Sequence, residues 1–296
     1  MNLTEIRERA DKALKYFFET MPDIPFGMDD IIFDFAPPTR MAARYKALCA
    51  AYRPREIILP EHEEQLANGT GGQAIIGEGK SAILICTKQP LLKANIRRII
   101  FHELMHIYCA KTETDGEHFV DIYGSGSPYD GSDEILCDGY FIWSEFIADY
   151  ISYEKTESGK SVFEYGCRDD VIRCIDEVVM GIDSRRDFEW ACLNILTATE
   201  PEKIIARIIE PGYIISGGGG YADNARKQLN ACLQLLYKQT QKEKPWKINE
   251  GFITDLGEYY TDFKTSNTML RLEQMGVKDE ALRAFMGQSQ NGARET

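Results

Sequence analysis

The apolar positions of the first twenty residues recur at the three-and-four spacing of an amphipathic helix, with Ile6, Ala10, Ala13, Leu14, Phe17 and Phe18 forming one stripe between charged neighbours. The stretch MPDIPFGMDD breaks that helix, and a second is predicted over 39–52, after the Pro37 and Pro38 pair. EIILP, 56–60, reads as a short strand. In GTGGQAIIGEGKSAILICTK two apolar runs, 74–76 and 82–86, flank Gly77, Glu78, Gly79 and Lys80, which is the pattern of a hairpin. Pro90 then stands in the first turn of a long helix ending near Ala110, a place where its missing N–H is no loss. KTETDGEHFVDIYGSGSPYDGSD reads as a long loop, and a second long helix begins near Ser132 or Asp133 and runs to about Tyr153.

Beyond Glu154 the period of two almost disappears. Helical periods follow around 167–180, 185–198, 201–209 and 222–240, and from 250 to the end. The predicted fold class is therefore α+β, with a small mixed sheet in the front portion and an all-helical rear lobe. The border is placed at EKTESGK, giving domains 1–156 and 157–296. A length of 296 residues exceeds the usual size of one domain and agrees with two units.

Composition narrows the function class. Hydrophobic residues make up 44% and charged residues 27%, so the chain is expected to bury a core and not to be disordered. A net charge of −13 with no clustered Lys or Arg argues against nucleic acid or an anionic membrane as partner. No window is long and apolar enough to span a bilayer. The first residues alternate charge with apolar side chains, unlike a signal peptide, so a cytoplasmic location is expected. Eight cysteines are scattered without a CxxC pair and are expected to be reduced, buried thiols.

One stretch does not fit a plain core helix. RRIIFHELMHIYCAK, 97–111, carries His102, Glu103 and His106 among Ile99, Ile100, Phe101, Leu104, Met105, Ile107 and Tyr108, whose apolar side chains cover nearly the whole circumference. Burying two imidazoles and a carboxylate there is costly unless they are paired or bind a metal. Residues four apart share a helix face, so His102 and His106 can each give one nitrogen to a single zinc ion, while Glu103 beside them remains available as a base. Zinc lowers the pKa of bound water towards 7, which is the use such a site would have.

His102-Glu103-Leu104-Met105-His106 resembles the signature of the zincin metallopeptidases, and the resemblance implies Zn2+, a zincin-like catalytic domain and hydrolysis of amide bonds in a peptide or protein substrate. The metzincin continuation is excluded because Cys109 and Thr112 stand where it needs Gly and His. WSEFIADYIS supplies Glu145 and Asp149 four apart on the next long helix, similar to the gluzincin branch. That branch implies Glu145 as third metal ligand and Asp149 as acceptor for the far N–H of a histidine ligand.

His118, read as a surface histidine, and Asp121, whose spacing before Tyr-Gly is one residue short of the aspzincin pattern, are set aside. SAILIC, 81–86, is expected either to be the edge strand along which an extended substrate pairs or to be an ordinary core strand. In the rear lobe, Gly217 to Gly220 precede a helix starting near Tyr221 or Ala222 and could present free N–H groups to an anion or act as a hinge. Tyr213 or Tyr221 is the candidate for stabilising an oxyanion, a role zinc peptidases often give to Tyr or His. The alternative is a zincin-shaped binding or regulatory module without catalysis. Glu103 is the residue that favours the enzyme.

Overall fold

A computed structural model describes residues 2–54, 66, 71–87, 89–112, 131–156, 179, 181–182, 184–198, 200–208 and 219–276. Those residues form a mixed α+β chain, mostly helical, with one three-stranded sheet. The predicted strand at 56–60, the loop after Thr112, the helix at 167–180, and Tyr213, His118 and Asp121 lie outside them. The chain divides into two compact units in an interleaved way. The first comprises Met1–Pro128, Ile147–Gly159 and Glu243–Ile248, and the second Tyr129–Phe146, Lys160–Lys242 and Asn249–Thr296.

In the first unit, helix α1, Leu3–Thr20, is started by a reciprocal cap. Asn2 Oδ1 accepts from the Glu5 amide at 2.9 Å while Glu5 Oε2 accepts from the Asn2 amide at 3.0 Å, so two donors that a helix start leaves orphaned are satisfied. Its stripe of Ile6, Ala10, Ala13, Leu14 and Phe17 is buried, as the spacing predicts. Phe17 meets Phe101 edge-on at 5.4 Å and Tyr108 at 6.3 Å. Both belong to α3, Gln89–Lys111, the long helix of the HELMH stretch.

The sheet has the order β1, β3, β2. Strand β1, Ile31–Ala36, runs parallel to β3, Ser81–Cys86, and β2, Gly72–Ile75, runs antiparallel to β3 as the predicted hairpin requires. β1 is absent from the sequence reading. Its apolar run is interrupted by Asp34, whose carboxylate accepts from Arg44 Nε at 2.7 Å. Arg44 belongs to α2, Met41–Tyr52, which forms part of the crossover that a parallel pair needs. Met41, Tyr45, Leu48 and Cys49 of α2 pack with Ala82, Leu84 and Cys86 on one face of β3.

Because β3 is central and all six of its residues are buried, SAILIC is a core strand and not the open edge. Among the described residues the edges are β1 and β2, each paired only with β3. Gly71 O accepts from the Cys86 amide at 3.0 Å, so pairs 71/86 and 73/84 are the hydrogen-bonded ones. The backbone N–H and C=O of Gly72 and Ala74 therefore point away from β3. Helix α3 packs on β2 and β3. Its last residue fastens the turn between them, since Lys111 Nζ donates to the carbonyls of Gly77, Glu78 and Gly79 at 2.9, 3.3 and 3.1 Å.

Helix α4, Gly131–Thr156, is continuous, and its residues after Phe146 belong to the first unit. The second unit adds α5, Arg185–Leu196, α6, Pro201–Ile208, α7, Gly219–Thr240, and α8, Glu250–Gln274. α5 opens on a capping box of Ser184 and Asp187, and its Phe188 packs on Tyr260 and Phe263 of α8 at 5.1 and 5.0 Å. α4 and α8 touch backbone to backbone: a Cβ at Gly139 would lie 2.0 Å from the Ile253 carbonyl oxygen, and one at Gly257 would lie 2.0 Å from that of Ile135. Among the described residues no helix is long and apolar enough to cross a membrane.

Candidate metal centre

Helix α3 is as buried as its composition demands: Ile100, Phe101, Leu104, Met105, Ile107 and Tyr108 have no measurable exposure. The polar residues of the same turns are turned to one side. His102 Nε2 lies 3.1 Å from His106 Nε2, with the rings edge to face at 80°. The other nitrogen of His102, Nδ1, lies 2.9 Å from Asp149 Oδ1. A carboxylate only accepts, so the proton of that contact sits on Nδ1 and the Nε2 lone pair of a neutral ring is aimed at His106. Two ring nitrogens at such a distance are held together only by a shared proton or by a cation.

Glu145 lies one turn before Asp149 on α4, so the helix that meets His102 through Asp149 also carries a second carboxylate towards the histidine pair. One nitrogen from each of His102 and His106 and one oxygen of Glu145 all lie within 4.8 Å of one another. Donors of a tetrahedral zinc at about 2.0 to 2.1 Å stand roughly 3.3 Å apart, so the imidazole pair is already spaced for such an ion. The donor set of two imidazoles and a carboxylate is also the chemistry that zinc accepts, and the residues fit the metal.

Three neighbours were not foreseen from the sequence. Arg98 Nη2 lies 3.5 Å from the same Asp149 oxygen, and its guanidinium covers the Tyr153 ring at 3.9 Å. Arg98 stands four residues before His102, so the helical period that picked out the histidines also contained the signal for it. Arg186 Nη1 lies 2.7 Å from Glu145 Oε2, but forty-one residues separate them and no local pattern links the two. Gly72 lies directly against Glu103: a Cβ there would be 2.9 Å from Oε1 and 3.0 Å from Cγ. Glu103 itself is 6% exposed.

Of the other residues singled out by sequence, Tyr221 stands in the first turn of α7, partly buried, and belongs to the second unit. Gly219 and Gly220 form the start of α7 and are helical, while Gly217 and Gly218 lie outside the described residues together with Tyr213. Compared with known proteins, the chain matches no protein-family model, no curated protein sequence and no solved structure.

Proposed function

We propose that the protein is a zinc-dependent metallopeptidase of gluzincin type, holding the metal through His102, His106 and Glu145. The observation that carries the reading is the convergence of these three donors with a carboxylate on the far nitrogen of one histidine. Bound there, zinc would supply a Lewis acid that makes water nucleophilic near neutral pH and polarises the scissile carbonyl.

The chain's own residues supply the rest. Asp149 keeps the proton of His102 on Nδ1, which directs Nε2 outward as a donor. Arg98 pairs with the same Asp149 oxygen and steadies it. Glu103, one residue from a proposed ligand and not itself in the donor group, takes the proton of the attacking water on its carboxylate and hands it to the departing amine. The outward N–H and C=O groups of Gly72 and Ala74 offer an extended peptide a strand to pair with, beside that carboxylate. The substrate class is a peptide or protein segment in extended form. A cytoplasmic site of action is proposed on the mostly buried thiols of Cys49, Cys86, Cys109, Cys137, Cys192 and Cys232, none of them in a disulfide.

One observation favours the second reading, a zincin-shaped binding or regulatory module. Glu145 already carries an ion pair with Arg186, a partner that would also satisfy it in a site without metal. Zinc analysis of purified protein separates the two. About one zinc per chain, lost in His102→Ala and Glu145→Ala, is expected, with Glu103→Gln keeping the metal and losing amide hydrolysis. Zinc retained by Glu145→Ala would remove the third ligand, and undiminished hydrolysis by Glu103→Gln would remove the base.

A further inference from the structure

The contact between Gly72 and Glu103 is not needed to form β2. Gly72 does not lie in the left-handed region of backbone space, so an alanine could adopt its conformation without strain. What excludes a side chain is space. A Cβ at this position would meet Ile99 Cγ2 at 2.8 Å, Glu103 Oε1 at 2.9 Å and Glu103 Cγ at 3.0 Å. The neighbouring Gly71 faces only the end of the Ile99 side chain, at 3.2 and 3.4 Å. Of the two glycines, Gly72 alone bears on the carboxylate.

The Cγ contact decides what would have to move. Were only Oε1 close, a small rotation of the terminal carboxyl would clear it. With Cγ also in tight contact, the inner part of the side chain must give by a few tenths of an ångström as well, or β2 must lift from α3. Lifting β2 is opposed by its pairing with β3 and by Lys111, which holds the hairpin turn to the end of the same helix. Gly72 also turns its N–H and C=O to the open side of β2. The same residue thus brings the outward-facing backbone of the strand and the Glu103 carboxylate within van der Waals distance.

We propose that Gly72 is a positioning residue that fixes Glu103 against the edge of β2 that faces away from β3, so that the base stands beside an extended peptide chain added to that strand. The proposal rests on the peptidase reading for its consequence, but its geometric content does not. Gly72→Ala is expected to displace the Glu103 side chain, a misplacement that lowers kcat by up to about 10²-fold with KM little changed and zinc content intact. Gly71→Ala, which meets only the flexible end of Ile99, is expected to keep kcat within about threefold of the parent. The double variant Gly72→Ala with Ile99→Ala relieves the clash with Ile99 and leaves the one with Glu103. It is therefore expected to recover thermal stability without recovering kcat.

Crystal structures of Gly72→Ala and of the double variant supply a readout that does not depend on turnover. A Glu103 carboxylate found in its original place would overturn the proposal whether or not the protein is a peptidase. Recovery of kcat together with stability in the double variant would overturn it too, by making Gly72 a packing residue only. If the parent binds zinc but cleaves no peptide, the peptidase reading fails while a displaced Glu103 still supports the positioning role.

Discussion

Gly72 in the first unit and Gly139 and Gly257 in the second are crowded in different ways. In the first, the atoms that crowd Gly72 belong to side chains, Ile99 and Glu103, and the space it leaves is filled by an ionisable group. In the second, the atoms that crowd Gly139 and Gly257 belong to the backbone, at 2.0 Å from a would-be Cβ, and the space is filled by the facing helix. A side chain can yield by rotating. A pair of helix backbones cannot. The first kind of contact is therefore expected to report on chemistry and the second on stability.

Buried polar groups differ in the same sense. In the second unit two side-chain amides are paired: Asn224 Nδ2 donates to Ser266 Oγ at 2.6 Å, and Asn267 Nδ2 to the Ile182 carbonyl at 2.7 Å. In the first unit the imidazoles of His102 and His106 present nitrogens to each other, and Asp149 accepts at the far nitrogen of His102. An amide pair completes itself within the protein, whereas two facing ring nitrogens share either a proton or a cation.

The comparison breaks most visibly at the helix crossing. Alanine at Gly139 or Gly257 should gain about 1 kcal/mol by helix propensity alone, yet the contact predicts a net loss of roughly 3 kcal/mol or more in urea unfolding. A stabilised variant would show that the backbones do not touch.

Next in size is Asp149→Asn, expected to weaken zinc binding by about 10- to 100-fold in a competition titration while the fold is retained. Unaltered affinity would detach Asp149 from the metal site. Asn224→Ala, which removes one half of a settled pair, is expected to cost about 1 kcal/mol and leave zinc content as it was. A loss of zinc in that variant would erase the distinction between the two kinds of buried polar group.

The smallest effect is alkaline. Each unit buries a tyrosine whose phenol is pushed up to about 12, Tyr108 mainly by burial with the charges of Cys109 and Asp23 adding, and Tyr260 mainly by burial with Asp138 adding. A folded value raised above the unfolded value of about 10 means that the folded state holds its proton longer. The stabilisation is fully present below about pH 10 and is lost as pH rises through about 12. Tyr108→Phe and Tyr260→Phe should each flatten the decline in urea midpoint between about pH 10 and pH 12. An unchanged slope in both would count against buried phenols as its source.

The helices could be read from periodicity because each buries a stripe, and the 3.6-residue repeat writes that stripe directly into the chain. α1, α3, α4 and α5 begin and end within a few residues of where the pattern places them. The hairpin was legible from its glycines. β1 was not, because its central Asp34 interrupts the apolar run and is answered by Arg44 on another element. Nor did the sequence show that β3 is central with β1 and β2 on either side of it, since strand order depends on which partners arrive from elsewhere.

Within the candidate site the split follows the same line. The sequence by itself determined the local part: His102, Glu103 and His106 on one stretch of helix, and Glu145 and Asp149 one turn apart on another, because spacing along a helix is fixed by its geometry. Only the tertiary structure decided which histidine meets Asp149, that Arg98 and Arg186 stand behind the two carboxylates, and that Gly72 gives Glu103 its place. These depend on how separate elements pack, and contacts between residues far apart in sequence leave no period in the chain to be read.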